Sequence, residues 1–129
     1  MLFKLNPSAG QPLYLQVMQQ VRYAIETGVL QDGDLMPGIR TLAEELVVSH
    51  NTIAKAYTEL QHEGWLELRQ GLGAFICTRQ LTNKPERVRV AQKRAREFVA
   101  LLRADGFSND EIQRFLEAEI LFPTEAVRK

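Results

Sequence analysis

The spacing of apolar residues changes abruptly at Gly64, and this change constrains the fold more than any other feature of the sequence. Before it, apolar residues recur every three or four positions in three segments; after it, they alternate through "WLELRQGLGAFIC". Steps of three and four place side chains along one face of a helix, whereas alternation places them on one face of a strand. The sequence therefore predicts three helices followed by a β-hairpin.

Each of the three predicted helices is short and has a single apolar stripe. The stripes consist of Tyr14, Met18, Val21 and Ile25 in the first helix, Ile39, Leu42, Ala43 and Leu46 in the second, and Ile53, Tyr57 and Leu60 in the third. Only a few residues separate the second helix from the third. Three helices and a two-stranded ribbon in this order match a winged helix-turn-helix, whose third helix enters the DNA major groove.

Four consecutive polar residues, from Ser49 to Thr52, begin the predicted third helix. In a winged helix-turn-helix their side chains reach phosphates and base edges, and Asn51 can both donate to and accept from adenine. His50 can donate to guanine or to phosphate. The alternative is that the cluster only caps a helix that packs into the core, since serine is a common N-cap. The residues alone leave both interpretations open.

The hairpin turn reads "RQGLG" and places Arg69 beside two glycines. A positive charge next to a turn with little side-chain bulk can approach a DNA groove closely. The alternative is a tight hairpin that needs glycine only for its backbone angles.

Taken together, residues 11–76 resemble the DNA-binding domain of GntR-type bacterial transcription regulators over about half of the chain. The residues that carry the resemblance, in order, are Gly28, Leu30, Gly33, Asp34, Pro37, Arg40, Asn51, Thr52, Ala56, Tyr57, Gly64, Gly71, Gly73 and Phe75. Two positions depart from the family pattern. Gly38 replaces a serine, which removes a phosphate-binding hydroxyl, and Val47 replaces the glycine of the turn before the third helix.

The resemblance implies a set of DNA contacts on the second helix, the third helix and the wing. That set is Arg40, Ser49, His50, Asn51, Thr52, Lys55, Tyr57, Arg69, Gly71 and Gly73. Arg40, at the start of the second helix, is expected to bind a phosphate or a base. We therefore expect double-stranded operator DNA as the partner of residues 1–78.

The remaining residues, 79–129, predict two further helices, the second beginning with Ser108 and Glu111 at capping-box spacing. This short tail resembles that of the YtrA-type subgroup, in which it is a dimerisation element. The apolar residues expected at a homodimer contact are Phe98, Val99, Leu102, Phe107, Ile112, Phe115 and Leu116. The alternative is that the tail folds back on its own domain. The fold class expected is thus mainly α, a winged helix-turn-helix with a two-helix dimerisation element.

Charge is balanced over the whole chain but not along it. Residues 1–78 carry five basic and eight acidic side chains, and residues 79–129 carry eleven and eight. Seven of the basic residues lie between Arg79 and Arg96, with Glu86 the one acidic residue among them. This run could contact DNA backbone, face solvent, or form part of a membrane-surface helix at residues 84–103.

Several function classes are disfavoured. One cysteine gives no internal disulfide or metal cluster, and no set of nucleophile and base is signalled, so we expect no enzyme, no metal and no cofactor. No apolar run approaches the roughly 18 residues of a membrane span, and the first residues do not resemble a secretory signal. We expect a cytoplasmic, dimeric repressor on a palindromic operator. An activator, a winged-helix module for protein contacts, and an unidentified small-molecule effector remain alternatives.

Overall fold

The structure is a computed structural model and describes residues 3–123. Residues 1–2 and 124–129, at the outer ends of the predicted domains 1–78 and 79–129, lie outside the described residues. The chain divides by its contacts into two compact units, Met1–Val88 and Arg89–Lys129. This division falls within a helix that spans Pro85–Ala104, and the domain boundary predicted after residue 78 stays a prediction.

Three helices and a hairpin follow one another in the first unit, as the sequence predicts. They are α1 (Leu13–Glu26), α2 (Ile39–Leu46), α3 (His50–His62), β1 (Leu66–Arg69) and β2 (Gly73–Ile76). The strands pair antiparallel, with Leu66 opposite Ile76 and Arg69 opposite Gly73. The prediction of a mainly helical fold with a winged helix-turn-helix is confirmed.

The helical stripes meet in one apolar core, which fixes the position of α3. Its members are Val17, Met18, Val21 and Ile25 of α1, Leu42 and Ala43 of α2, Ile53, Ala56, Tyr57 and Leu60 of α3, Leu66, Ala74 and Ile76 of the hairpin, and Leu30 and Met36 between α1 and α2. Full burial of one large aliphatic side chain stabilises a fold by about 1.5–3 kcal/mol. Burial in the core therefore fixes the inward face of α3, while its outward face remains accessible to a binding partner.

A third extended segment lies beside β2, where the sequence predicts only a turn. Gly33 donates its N–H to the Ile76 carbonyl, Ile76 donates to that of Asp34, and Met36 donates to that of Ala74, each at 2.8 Å. The segment forms a single bridge, Leu35 to Phe75, and is too short for alternation to be visible in the sequence. It ties β2 to the segment that leads into α2.

Two helices make up the tail, α4 (Pro85–Ala104) and α5 (Asn109–Leu121). The predicted capping box is confirmed: Ser108 accepts from the Glu111 N–H at 3.1 Å, and Glu111 accepts from the Ser108 N–H at 2.8 Å. The rings of Phe107 and Phe115 meet edge to face, with centroids 5.2 Å apart. Among residues 3–123, no helix is long and apolar enough to cross a membrane.

The residues expected at a dimer contact do not share one environment. Phe98, Phe107 and Phe115 are exposed in the single chain, and Val99, Leu102 and Leu116 are half-buried. Ile112 is only 3% exposed. Packing within one chain already covers its side chain, which leaves little of Ile112 for a partner to contact.

Candidate nucleic-acid interface

The turn between α2 and α3 depends on the backbone conformation of Val47. This residue ends α2 with φ 56° and ψ 50°, in the left-handed region, and no other non-glycine residue of the described chain has a positive φ. A β-branched side chain is strained there. The turn nevertheless contains the left-handed residue that glycine commonly supplies, so the departure at Val47 leaves the turn geometry in place.

Helix α3 begins with a cap made by two of the four polar residues. Ser49 Oγ accepts the Thr52 N–H at 3.1 Å, and the two hydroxyl oxygens lie 2.8 Å apart. His50 and Asn51, in contrast, are exposed, and no protein group among residues 3–123 hydrogen-bonds to their side chains. The sequence left capping and exposure open as alternatives, and Ser49 shows both, whereas His50 and Asn51 are exposed without taking part in the cap.

Arg40 lies close to this helix start. It is exposed in the first turn of α2 and shares an open depression of about 770 Å³ with Val47, Ser49 and His50. No carboxylate of the described chain pairs with its guanidinium. Glu44 lines the same depression and adds a negative charge. We call Arg40, His50, Asn51 and Lys55 the recognition surface.

Lys55 is exposed one helical turn after Asn51, on the same side of α3. Its Nζ lies 4.2 Å from the ring centroid of Tyr14, near the start of α1. The sequence identified Tyr14 only as a core residue, and it is in fact half-buried against the core. Spacing along one helix could not reveal its second role, because the contact joins two helices.

On the wing, Arg69 is already engaged by two neighbours. Its Nε and Nη2 donate to Glu67 Oε1 at 3.1 and 2.9 Å, and its guanidinium carbon lies 4.5 Å from the centroid of the Phe75 ring. Both charged side chains are about half exposed. An exposed ion pair of this kind contributes about 0–1 kcal/mol, so a DNA phosphate can displace the carboxylate at small cost.

The two wing glycines have backbone reasons to be glycine. Gly71 has φ 78° and Gly73 has φ 114°. A Cβ at Gly73 would lie 3.0 Å from Leu35 Cδ1, whereas a Cβ at Gly71 would meet no atom within 4 Å. The tight-hairpin interpretation therefore accounts for both, and their contact with DNA stays a prediction. Leu72, between them, is exposed at the tip.

The side chain of Tyr57, which is among the predicted DNA contacts, lies in the core. Its side chain is 2% exposed, and its hydroxyl donates to the Pro37 carbonyl at 2.6 Å. Burial raises the pKa of Tyr57 far above the usual range, and the negative charge of Glu45 adds to the rise. Tyr57 thus ties the core face of α3 to the segment that precedes Arg40.

Comparison with known proteins identifies the family. The profile described as "Bacterial regulatory proteins, gntR family" matches residues 13–76, from the start of α1 to the end of β2. The HTH-type transcriptional repressor YtrA of Bacillus subtilis is 33% identical over 85 residues, 66% of this chain and 65% of that protein. The match thus spans slightly less than two thirds of YtrA.

Two further matches extend the comparison. The HTH-type transcriptional regulator Rv1152 of Mycobacterium tuberculosis is 33% identical over 113 residues, 88% of this chain and 89% of that protein. The structure of AraR(DBD) in complex with operator ORE1 is 28% identical, with a TM-score of 0.51, and the match covers 60% of this chain and 94% of that one.

These matches confirm the resemblance to short-tailed YtrA relatives and the expectation of a regulator rather than an enzyme. The chain belongs to the gntR family of bacterial regulatory proteins, as a transcriptional regulator with a winged helix-turn-helix DNA-binding domain.

Proposed function

We propose that this chain is a cytoplasmic, dimeric repressor that binds a palindromic operator through α3 and the wing. The observation that carries the proposal is the exposure of His50 and Asn51 at a helix start beside Arg40. The first N–H groups of a helix have no intrahelical partner and attract phosphate. Side chains that can read bases thus lie next to groups that bind the DNA backbone.

Each residue of the recognition surface has a distinct role in this proposal. Asn51 forms a bidentate pair with adenine, and His50 donates to guanine or to a phosphate. Arg40 and Lys55 bind phosphates and fix the position of α3 in the major groove. Ser49 and Thr52 cap the helix, and one of their two hydroxyls can still donate to a nearby phosphate.

The wing adds contacts outside the major groove. Arg69 exchanges Glu67 for a phosphate or a minor-groove acceptor, and the turn at Gly71 and Gly73 allows close approach. The matched regulator AraR(DBD), which was solved with operator ORE1, supports DNA as the partner.

Dimerisation would explain the surface of the tail. No residue of α4 is buried in the single chain, although the helix has 20 residues. Phe98 and Leu101 are among its exposed apolar side chains. A second copy related by a two-fold axis would cover them and present two α3 helices to a palindromic site. The relative YtrA, which is named a repressor, supports repression as the outcome.

Selection of bound sequences from random duplex DNA with purified protein tests the DNA proposal. We expect one palindromic motif whose half-sites are about one helical turn, or a multiple of it, apart. Asn51→Ala should weaken binding to that motif by about 1–3 kcal/mol, or roughly 5- to 150-fold. Gln61→Ala is the control: it removes an exposed amide at the other end of α3 and should leave affinity for the motif unchanged. Equal binding by both variants, or no enriched motif, would refute the proposal.

Sedimentation tests the dimer separately. We expect the wild type to sediment as a dimer at micromolar concentration and Phe98→Arg to sediment as a monomer. Ala118→Arg, which charges an exposed residue on the side of α5 away from Ile112 and Leu116, serves as the control. A wild-type monomer would refute the dimer, and a promoter fusion that is activated rather than silenced would refute repression.

A further inference from the structure

Lys55 is held by an aromatic ring rather than by a carboxylate. Its Nζ lies 4.2 Å from the Tyr14 ring centroid, and the ion pairs of the described residues involve other side chains. The face of an aromatic ring attracts a cation through its quadrupole without neutralising the charge. An ammonium held in this way keeps its full charge and its N–H donors on the side away from the ring.

This arrangement differs from that of Arg69 on the wing, where Glu67 both holds and neutralises the cation. A phosphate that approaches Arg69 must compete with a carboxylate. A phosphate that approaches Lys55 meets no such competitor, because the ring can keep its contact while the ammonium binds. The Tyr14 contact therefore suits a cation that must be fixed in place and still remain available to an anion.

The position of the pair also favours a DNA phosphate. Tyr14 and Lys55 line one depression of about 370 Å³ together with Pro12, Asn51 and Thr52. The ammonium thus lies beside the residue proposed to read adenine. A phosphate that flanks that base is the anion that the arrangement would meet.

We propose that Tyr14 is a positioning residue for DNA recognition, which holds the Lys55 ammonium against a backbone phosphate beside Asn51. A flexible lysine side chain loses rotamer freedom when it binds, and a ring that restricts it beforehand lowers that cost. The inference rests on the proposed function, because it assigns a role within the same DNA contact. Tyr14 itself needs no contact with DNA.

The test measures affinity for the selected operator over a range of salt concentrations. Lys55→Met should reduce the slope of log K against log salt by about one for each chain, because one phosphate contact is lost. Tyr14→Leu should weaken binding about two- to five-fold for each chain, because the lysine side chain must then be ordered on binding at a cost of about 0.5–1 kcal/mol. Tyr14→Phe keeps the ring and should bind like the wild type.

Coupling separates positioning from a purely structural role. In the Lys55→Met background, Tyr14→Leu should leave affinity unchanged, because no ammonium remains to be held. Since Tyr14 also packs against the core, Tyr14→Leu could unfold the unit. Trifluorophenylalanine at position 14 avoids that problem: it keeps the shape of the ring but weakens the quadrupole, and it should reproduce the two- to five-fold loss.

Two results would overturn the inference while the proposed function stands. One is unchanged or tighter operator binding with the fluorinated ring, and the other is an equal loss with and without the Lys55 ammonium. If the wild type itself shows no sequence-specific binding, the proposed function fails and this inference fails with it.

Discussion

Replacement of Val47 by glycine should make the protein more stable, although it removes an entire side chain. Val47 adopts φ 56° and ψ 50° at the end of α2, a conformation that costs an L-residue about 1–2 kcal/mol. Its side chain is 89% exposed, so almost no burial is lost with it. Glycine adopts the same angles without the Cβ clash.

The expected gain is smaller than the strain that is relieved. Glycine increases the conformational entropy of the unfolded chain, which costs roughly 0.5–1 kcal/mol relative to alanine. The difference leaves about 0.5–1 kcal/mol in favour of Val47→Gly, which raises the melting midpoint by a few degrees. Val47→Asn should give part of this increase in stability, because asparagine tolerates left-handed backbone angles better than valine.

Urea denaturation followed by circular dichroism measures the change in the free energy of unfolding. Protein concentration must be held fixed, because the stability of a dimer depends on it. Val29→Gly is the matched control: this valine is 70% exposed and its φ is not positive, so glycine there should only destabilise. If Val47→Gly destabilises the protein as much as Val29→Gly, the explanation by left-handed strain is refuted.

Three further changes test other contacts. Glu67→Gln should release Arg69 and strengthen operator binding several-fold in a gel-shift titration, while stability changes by no more than about 1 kcal/mol; weaker binding would show that the ion pair helps the wing. Tyr57→Phe should cost about 0.5–1.5 kcal/mol at neutral pH in urea denaturation. Because the folded pKa of Tyr57 is raised, wild-type stability should also fall as pH rises above about 10, where the unfolded tyrosine ionises, and this fall should be smaller in the phenylalanine variant. Ser108→Ala should remove the cap of α5 and cost about 0.5–2 kcal/mol by the same measurement, without changing the operator motif found by selection.

Periodicity predicted the helices and the hairpin because the core uses regular spacing. The stripes of α1 and α3 are buried as expected, apart from the half-buried Tyr14. Ser108 caps α5, as its spacing with Glu111 indicates. The extended segment at residues 33–36 was missed because its hydrogen bonds go to β2, which lies far away in the sequence. The spacing of residues along one segment contains no information about hydrogen-bond partners that lie far away in the sequence.

The site was predicted less completely than the fold, because a residue pattern does not separate residues that touch DNA from residues that hold a helix in place. A residue of the third helix can match a family pattern either because it touches DNA or because it holds the helix. Tyr57 belongs to the second kind, and Ser49 and Thr52 combine capping with exposure at the helix start. The contact between Lys55 and Tyr14 was invisible because it joins α3 to another helix.

Contacts on the core side of α3 fix the positions of the residues in the recognition surface. Tyr57 ties the core face of α3 to Pro37, just before the helix that carries Arg40. The turn at Val47 sets the direction in which α3 starts. A displacement of a recognition residue by more than about 0.5 Å is enough to weaken a polar contact that depends on geometry. Tyr57→Phe should therefore lower operator affinity in the gel-shift titration, because it removes the tie to Pro37. Val47→Gly, which keeps the same backbone angles, should leave that affinity unchanged.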